Sequence, residues 1–345
     1  MLVGTAAAAC ARSVDSDYTR HMSSIDVVIC THNRAASLER CLEALARQDD
    51  VSRDWRVIVV DNNCTDRTRD VVAAFAARRD VPPTVRVEEP TPGLTAARLC
   101  GVRQSAADWV AFVDDDCMLA SDWLREARSF AAAHRDAGGF GGRVVPAWGR
   151  TPPPHVVRHG WLFAEVDRGD RDVPVESLPG AGMVLNRLAL NRVGWTAAPL
   201  LQDRIGLGHT SGGDVEICMR LAAAGLSLWY APRLRLQHEI ERSRQSLRGM
   251  QDLARGLGAG AELVSLMLAK HPERWLKEAE TRVGAEHSKH LVSALWVLGL
   301  RYDWHDWAIR YAYLSGQRLQ LRRLREDEAT RARLGGCCAR PEKRA

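Results

Sequence analysis

The chain has 345 residues, 46% of them hydrophobic, enough for one large core and a smaller appended unit. A formal charge of +5 on a chain that is 26% charged is too small for a nucleic-acid-binding surface, and the excess sits in the arginine-rich C-terminal segment. That tail is expected to be a solvated terminus, with contact to an anionic membrane surface as its alternative.

The nine cysteines lie in apolar runs (Cys30, Cys100, Cys218) or side by side (Cys337, Cys338) and show no paired CxxC spacing. They read as reduced thiols of a cytoplasmic protein. The opening MLVGTAAAAC has no basic region and is expected to belong to a disordered leader over residues 1–23. The apolar run from Leu291 to Leu300 is cut by Arg301 and Asp303, short of the ~20 residues a spanning helix needs. The expectation is a cytoplasmic protein, peripheral at the inner face of the cell membrane at most.

The first element is IDVVIC from Ile25, a β-branched run ending in the polar THNR, as a buried strand leading into a loop should. Ser37 is the expected cap of the next helix, on which Leu38, Cys41, Leu42 and Leu45 recur at helical spacing. The unit repeats: WRVIVVD is a strand, DNNCTDRT a polar loop, and Thr68 to Ala77 a helix. TVRVEE, the turn PTPG, a helix from Leu94 to Gln104 and the strand WVAFVD follow. Alternation at this spacing predicts an α/β fold with a doubly wound, mainly parallel sheet. Ligands of such sheets bind beyond the carboxyl ends of the strands, and three of those ends carry THNR, DNNCTD and DDDC.

After Gly138 the pattern is less regular, with the glycine-rich GGFGGRVVP and a β element around Leu178 to Asn186. GGDVEICMRLAAAGLSLWYAP then reads as a helix ended near Gly225 and a strand leading to Leu234–His238. From Ser246 the chain looks helical, with Gly256, Gly258 and Gly260 as a weak spot. The expected units are residues 24–137 and 138–245, forming one domain, and a helical extension over 246–345. Trp296, Trp304, Trp307, Tyr302, Tyr311 and Tyr313 are read as core packing of a helical pair, with a membrane interface as the alternative.

Asp114, Asp115 and Asp116 in succession repel one another unless a cation offsets their charge. One acidic N-cap for the following helix needs only one of them. Oxygen ligands of this kind suit Mg²⁺ or Mn²⁺, and side-chain alternation lets Asp114 and Asp116 face the rim together.

In order, VVICTHNR, VVDNNCTDRT, PGLTAARLCG, WVAFVDDDC, GGDVEICMRL and LQHE resemble a family-2 glycosyltransferase over about residues 25 to 240. The resemblance implies the Rossmann-like GT-A fold. It also implies transfer of one sugar from a nucleotide-sugar donor, a UDP-sugar, to the hydroxyl of a glycan, lipid-linked or small-molecule acceptor, with inversion. By the same resemblance Asp61 and Asn62 hold the base and ribose, and Thr31 and Arg34 line that pocket. Arg98 lies near the diphosphate, and Asp116 is the chief metal ligand assisted by Asp114; the alternation of side chains at the strand end, for its part, has Asp115 pointing elsewhere or reaching the sugar. Asp214 is the implied general base, and a carboxylate is what an attacking hydroxyl needs to take its proton. Helix capping is the other reading of Asp214, and Glu216 is the reserve base. His238 resembles a late histidine that completes the metal shell in some members, although a histidine at a strand end also serves structure.

Asn62, Leu99 and Gly213 stand where the family often has an acid, an asparagine and a glutamate. No QxxRW segment of processive synthases is present in the sequence. Among rivals, a nucleotidyltransferase would carry a glycine-rich basic loop after the first strand, which THNRAAS is not. A non-catalytic nucleotide-sugar-binding protein would have lost the carboxylates. HEIER breaks the HExxH zinc motif at its second histidine.

Overall fold

The computed structural model describes residues 23–49, 54–201, 203, 212–298 and 303–338. The leader up to residue 22, the end of the basic tail, Tyr302 and the side chain of Trp296 lie outside the described residues.

Strands β1 (Ile25–Thr31), β2 (Trp55–Asp61), β3 (Thr84–Glu88) and β4 (Trp109–Phe112) form a parallel block in the order β3-β2-β1-β4. Helices α1 (Ala35–Ala46), α2 (Thr68–Ala76) and α3 (Leu94–Gln104) connect them. Alternate strand residues serve opposite faces. Val27, Ile29, Val57 and Val59 pack with Leu38, Leu42 and Phe75 of α1 and α2. Val28, Ile58 and Val60 pack with Ala97, Cys100 and Val102 of α3. This is the doubly wound arrangement, and it sets Thr31 level with Asp61 at the carboxyl edge. The start of α1 departs from expectation: the helix begins at Ala35, Ser37 lies inside its first turn, and Asp66 from the next loop accepts the Ala35 N–H at 2.9 Å.

The second half adds β5 (Cys117–Leu119), α4 (Trp123–Ala133), β6 (Gly139–Ala147), β7 (Val173–Val175), β8 (Met183–Asn186), α5 (Gly213–Ala223) and β9 (Leu228–Glu239). The mixed sheet runs β3-β2-β1-β4-β8-β6-β9-β5, with β7 on β9. The irregular glycine run is a full strand, β6, because its neighbours leave no room for side chains. A Cβ on Gly142 would lie 1.9 Å from the Leu234 carbonyl oxygen, and one on Gly139 would lie 2.9 Å from that of Val184. Pro232, which has no N–H for a ladder, falls where the β6–β9 register shifts.

The C-terminal helices α6 (Leu247–Leu268), α7 (Pro272–Leu298) and α8 (Trp304–Glu326) form a layer whose apolar residues reach back to the domain. Met250, Ala254, Ile309 and Ala312 pack on Val156, Leu162 and Phe163 from the β6–β7 connection. The expected weak spot at Gly256, Gly258 and Gly260 is instead unbroken helix, and Gly258 lies at a close crossing with α8. A Cβ on Gly258 would lie 2.1 Å from the Tyr313 carbonyl oxygen, and one on Gly316 would lie 2.0 Å from that of Arg255. Trp307 stacks on His290 of α7 and on Tyr311, whereas Trp304 is half exposed. Among the described residues, no helix is long and apolar enough to cross a membrane.

Gly258→Ala forces these two backbones apart and is expected to destabilise by ~1–3 kcal/mol, read as a lower urea midpoint. Gly284→Ala in α7, where a Cβ meets nothing within 4 Å, is expected to move the midpoint the other way through helix propensity alone.

Candidate active site

The carboxyl edge of the parallel block gathers the polar loops. Asp61 ends β2, accepts the Cys64 N–H at 2.8 Å and pairs with Arg86 of β3. The Asn62 amide donates to the Glu89 and Thr91 carbonyls at 2.8 and 2.7 Å and accepts the Gly93 N–H at 2.9 Å. Asn62 thus shapes the loop that leads to α3, and its side chain is engaged with backbone.

After β4 the chain turns through the three aspartates into β5. Asp115 points inward, where Thr31 Oγ1 donates to it at 2.7 Å and Arg34 Nη1 at 2.8 Å. Burial pushes its carboxyl up to about 7 in spite of Arg34. Asp116 is also buried, but its carboxyl is held below the usual range: burial works against the charge, and His238, Arg34 and Arg244 outweigh it. Arg34 Nη1 lies 2.9 Å from Asp116, His238 Nε2 lies 3.3 Å away and Arg244 Nη1 lies 3.6 Å away. Thr31 and Arg34 therefore meet the aspartates directly. Arg244 lies two residues beyond HEIER and belongs to no motif in the sequence.

His238 Nδ1 lies 2.8 Å from the Phe163 carbonyl oxygen, which can only accept, so Nδ1 carries a proton and Nε2 faces Asp116. Asp114, Asp116 and Cys117 each bring one ligand atom within 4.8 Å of the others. Burial holds the Cys117 thiol well above its ordinary range, so it is a poor donor for a hard cation. The oxygens of Asp114 and Asp116, with Nε2 of His238 beside them, make an oxygen-rich set that fits Mg²⁺ or Mn²⁺.

Arg98 is buried. Its guanidinium lies over the Phe112 ring at 5.3 Å, with Nη2 3.8 Å from Asp114 Oδ1. Burial opposes its charge, yet Asp114, Asp214 and Asp203 raise its pKa. A Cβ on Gly180 would lie 2.3 Å from Arg98 Nη2, and the Gly180 N–H donates to Asp214 Oδ2 at 3.0 Å. Arg98 thus has Asp114 on one side and, on the other, Gly180, whose N–H is bound by Asp214.

Asp214 is the second residue of α5, half-buried, on the wall of a cavity of about 190 Å³ shared with Ser177, Leu178, Pro179 and Tyr230. Glu216 is placed differently. It is fully buried, accepts the N–H groups of Leu200 and Leu201 at 2.9 and 2.7 Å, and pairs with Arg220 at 2.8 Å. Asp203, also unmarked in the sequence reading, accepts the Gly213 N–H at 2.8 Å through Oδ2.

A GT-A glycosyltransferase domain is what this fold and edge define. Residues 26–191 match the model of glycosyl transferase family 2, and the chain carries a domain of that family. The match ends before α5, so Asp214 and His238 lie beyond it. The chain is 37% identical over 116 residues to validoxylamine A glucosyltransferase of Streptomyces hygroscopicus subsp. jinggangensis, covering 34% of this chain and 26% of that protein. It is 26% identical over 231 residues to succinoglycan biosynthesis protein ExoM of Rhizobium meliloti, covering 65% and 69%. It therefore spans about a quarter of the first relative's length and about two thirds of the second's. The solved mannosyltransferase PcManGT of Pyrobaculum calidifontis, in complex with GDP-Man and Mn²⁺, shares the fold with a TM-score of 0.56 at 19% identity, covering 87% of each chain.

Glu216→Ala leaves the Leu200 and Leu201 N–H groups without their acceptor and removes the ion pair with Arg220, and is expected to cost about 3 kcal/mol or more, read as a lower urea midpoint.

Proposed function

We propose that this chain moves one sugar from a nucleotide-sugar donor, a UDP-sugar by family resemblance, to an acceptor hydroxyl with inversion. The observation that carries the reading is that buried Arg98 has Asp114 at 3.8 Å and, on its other side, Gly180, whose N–H donates to Asp214. This supports a reading in which donor site and base share one frame.

In this reading the acceptor oxygen attacks the anomeric carbon, the bond from that carbon to the diphosphate oxygen breaks, and the acceptor proton passes to Asp214. Asp214 suits the base better than Glu216, since it lines a cavity whereas Glu216 is buried among backbone donors. The negative charge leaves with the nucleoside diphosphate. A divalent ion held by Asp114 and Asp116, with His238 beside them, would offset that charge when bound. Arg34 orients Asp115 and Asp116 through its paired hydrogen bonds, and Arg244 adds positive charge beside Asp116. Asp61 and the loop shaped by Asn62 form the nucleoside side. The acceptor side is the cavity at Asp214, and the acceptor is a glycan, a lipid-linked compound or a small molecule.

Asp116→Ala is expected to abolish the Mn²⁺-dependent part of UDP binding; unchanged calorimetric affinity with Mn²⁺ present rejects the role given to Asp116. Asp214→Asn keeps the shape of the helix start and removes the base. Its kcat is expected to fall ~10²- to 10⁴-fold while donor affinity stays within a few-fold. Near-normal turnover by that variant rejects the assignment of the base.

A further inference from the structure

The geometry points to Asp203 as a positioning residue for the base: it ties the helix that carries Arg98 to the helix that carries Asp214. The inference rests on the role given to Asp214 above.

Asp203 is buried at the joined starts of α3 and α5. Its carbonyl oxygen accepts the Leu94 N–H, the first of α3, at 3.0 Å. Its own N–H donates to Thr95 Oγ1 at 3.1 Å, and that hydroxyl donates to the Leu201 carbonyl at 3.0 Å. Its carboxylate accepts the Gly213 N–H, the first of α5, at 2.8 Å. Each helix start leaves N–H groups without partners inside its own helix, and one residue supplies an acceptor to both. Arg98 lies one turn into α3 and Asp214 one residue into α5, and Gly180 lies between them, its Cβ position 2.3 Å from Arg98 Nη2 and its N–H on Asp214, so the tie fixes the spacing of these two side chains.

Gly213 fits this arrangement. A Cβ there would lie 2.4 Å from Asp203 Oδ2 and 3.1 Å from its Cγ, so the carboxylate of Asp203 fills the space a side chain at position 213 would take. Asp203 also joins Asp114 and Asp214 as a carboxylate acting on Arg98. The negative charge that Gly213 does not supply comes from across the loop.

The test compares the full chain with Asp203→Ala, Gly213→Glu and the double variant, with Asp214→Asn as reference. The readout is Mn²⁺-dependent release of nucleoside diphosphate, with water as acceptor, from UDP-glucose, UDP-N-acetylglucosamine or GDP-mannose. Circular dichroism melting shows that each variant is folded. Asp203→Ala is expected to lower kcat about 10- to 100-fold with donor KM within about threefold, as a misplaced base does. Gly213→Glu alone is expected to lose activity by collision with Asp203, and the double variant, whose new carboxylate enters the vacated space, to recover most of it. Turnover by Asp203→Ala within about threefold of the unaltered chain overturns the inference, as does a double variant no better than Asp203→Ala. If the unaltered chain releases nothing from any of the three donors, or if Asp214→Asn stays active, it is the functional reading that fails.

Discussion

Mutual repulsion among three adjacent carboxylates at the mouth of a buried strand is the constraint around which this half of the molecule is arranged. Asp115 and Asp116 are almost without solvent, so their charge has to be met by protein. The partners come from far apart in the chain: Thr31 and Arg34 after β1, His238 at the end of β9, and Arg244 just beyond it. Closing the sheet from β1 to β9 is therefore also what makes the triple aspartate tolerable. Arg34 reaches on to Glu241 at 2.7 Å, which ties the first loop to the segment after the last strand.

Much of the parallel half was legible because its signals are local. β1 and β2 are continuous β-branched runs, and α3 begins and ends where its spacing says. The polar tails THNR, DNNCTD and DDDC had to lie on one edge once the strands were parallel. The second half was harder to read for a stated reason. Gly139 and Gly142 carry no β propensity, and their value as strand residues comes from neighbours that arrive about 45 to 90 residues later in the chain. Ser37 was a reasonable cap by type, but Asp66 from a different loop takes that task.

The site followed the same division. Which acids end the strands of the parallel block could be read from their order, whereas what each touches could not. That Arg98 lies buried over the Phe112 ring beside Asp114 has no signal in the sequence. Asp203 and Arg244 carry no motif of their own; only the folded chain brings the first to Gly213 and the second to Asp116. Glu216 and Asp214 are two residues apart on one helix, yet one is sealed among backbone donors and the other borders a cavity.

The bond between His238 and the Phe163 carbonyl has a consequence for how the chain divides. A carbonyl oxygen can only accept, so it holds the imidazole in one orientation whether or not Nε2 is protonated. Phe163 in turn sits in a cluster completed by Met250 and Ala254 of α6 and Ile309 and Ala312 of α8. The aim of a ring beside Asp116 thus depends on apolar contacts made by helices that follow the whole sheet in the chain. A boundary drawn after β9 is a boundary of sequence pattern; mechanically, the keel of the histidine lies on its far side.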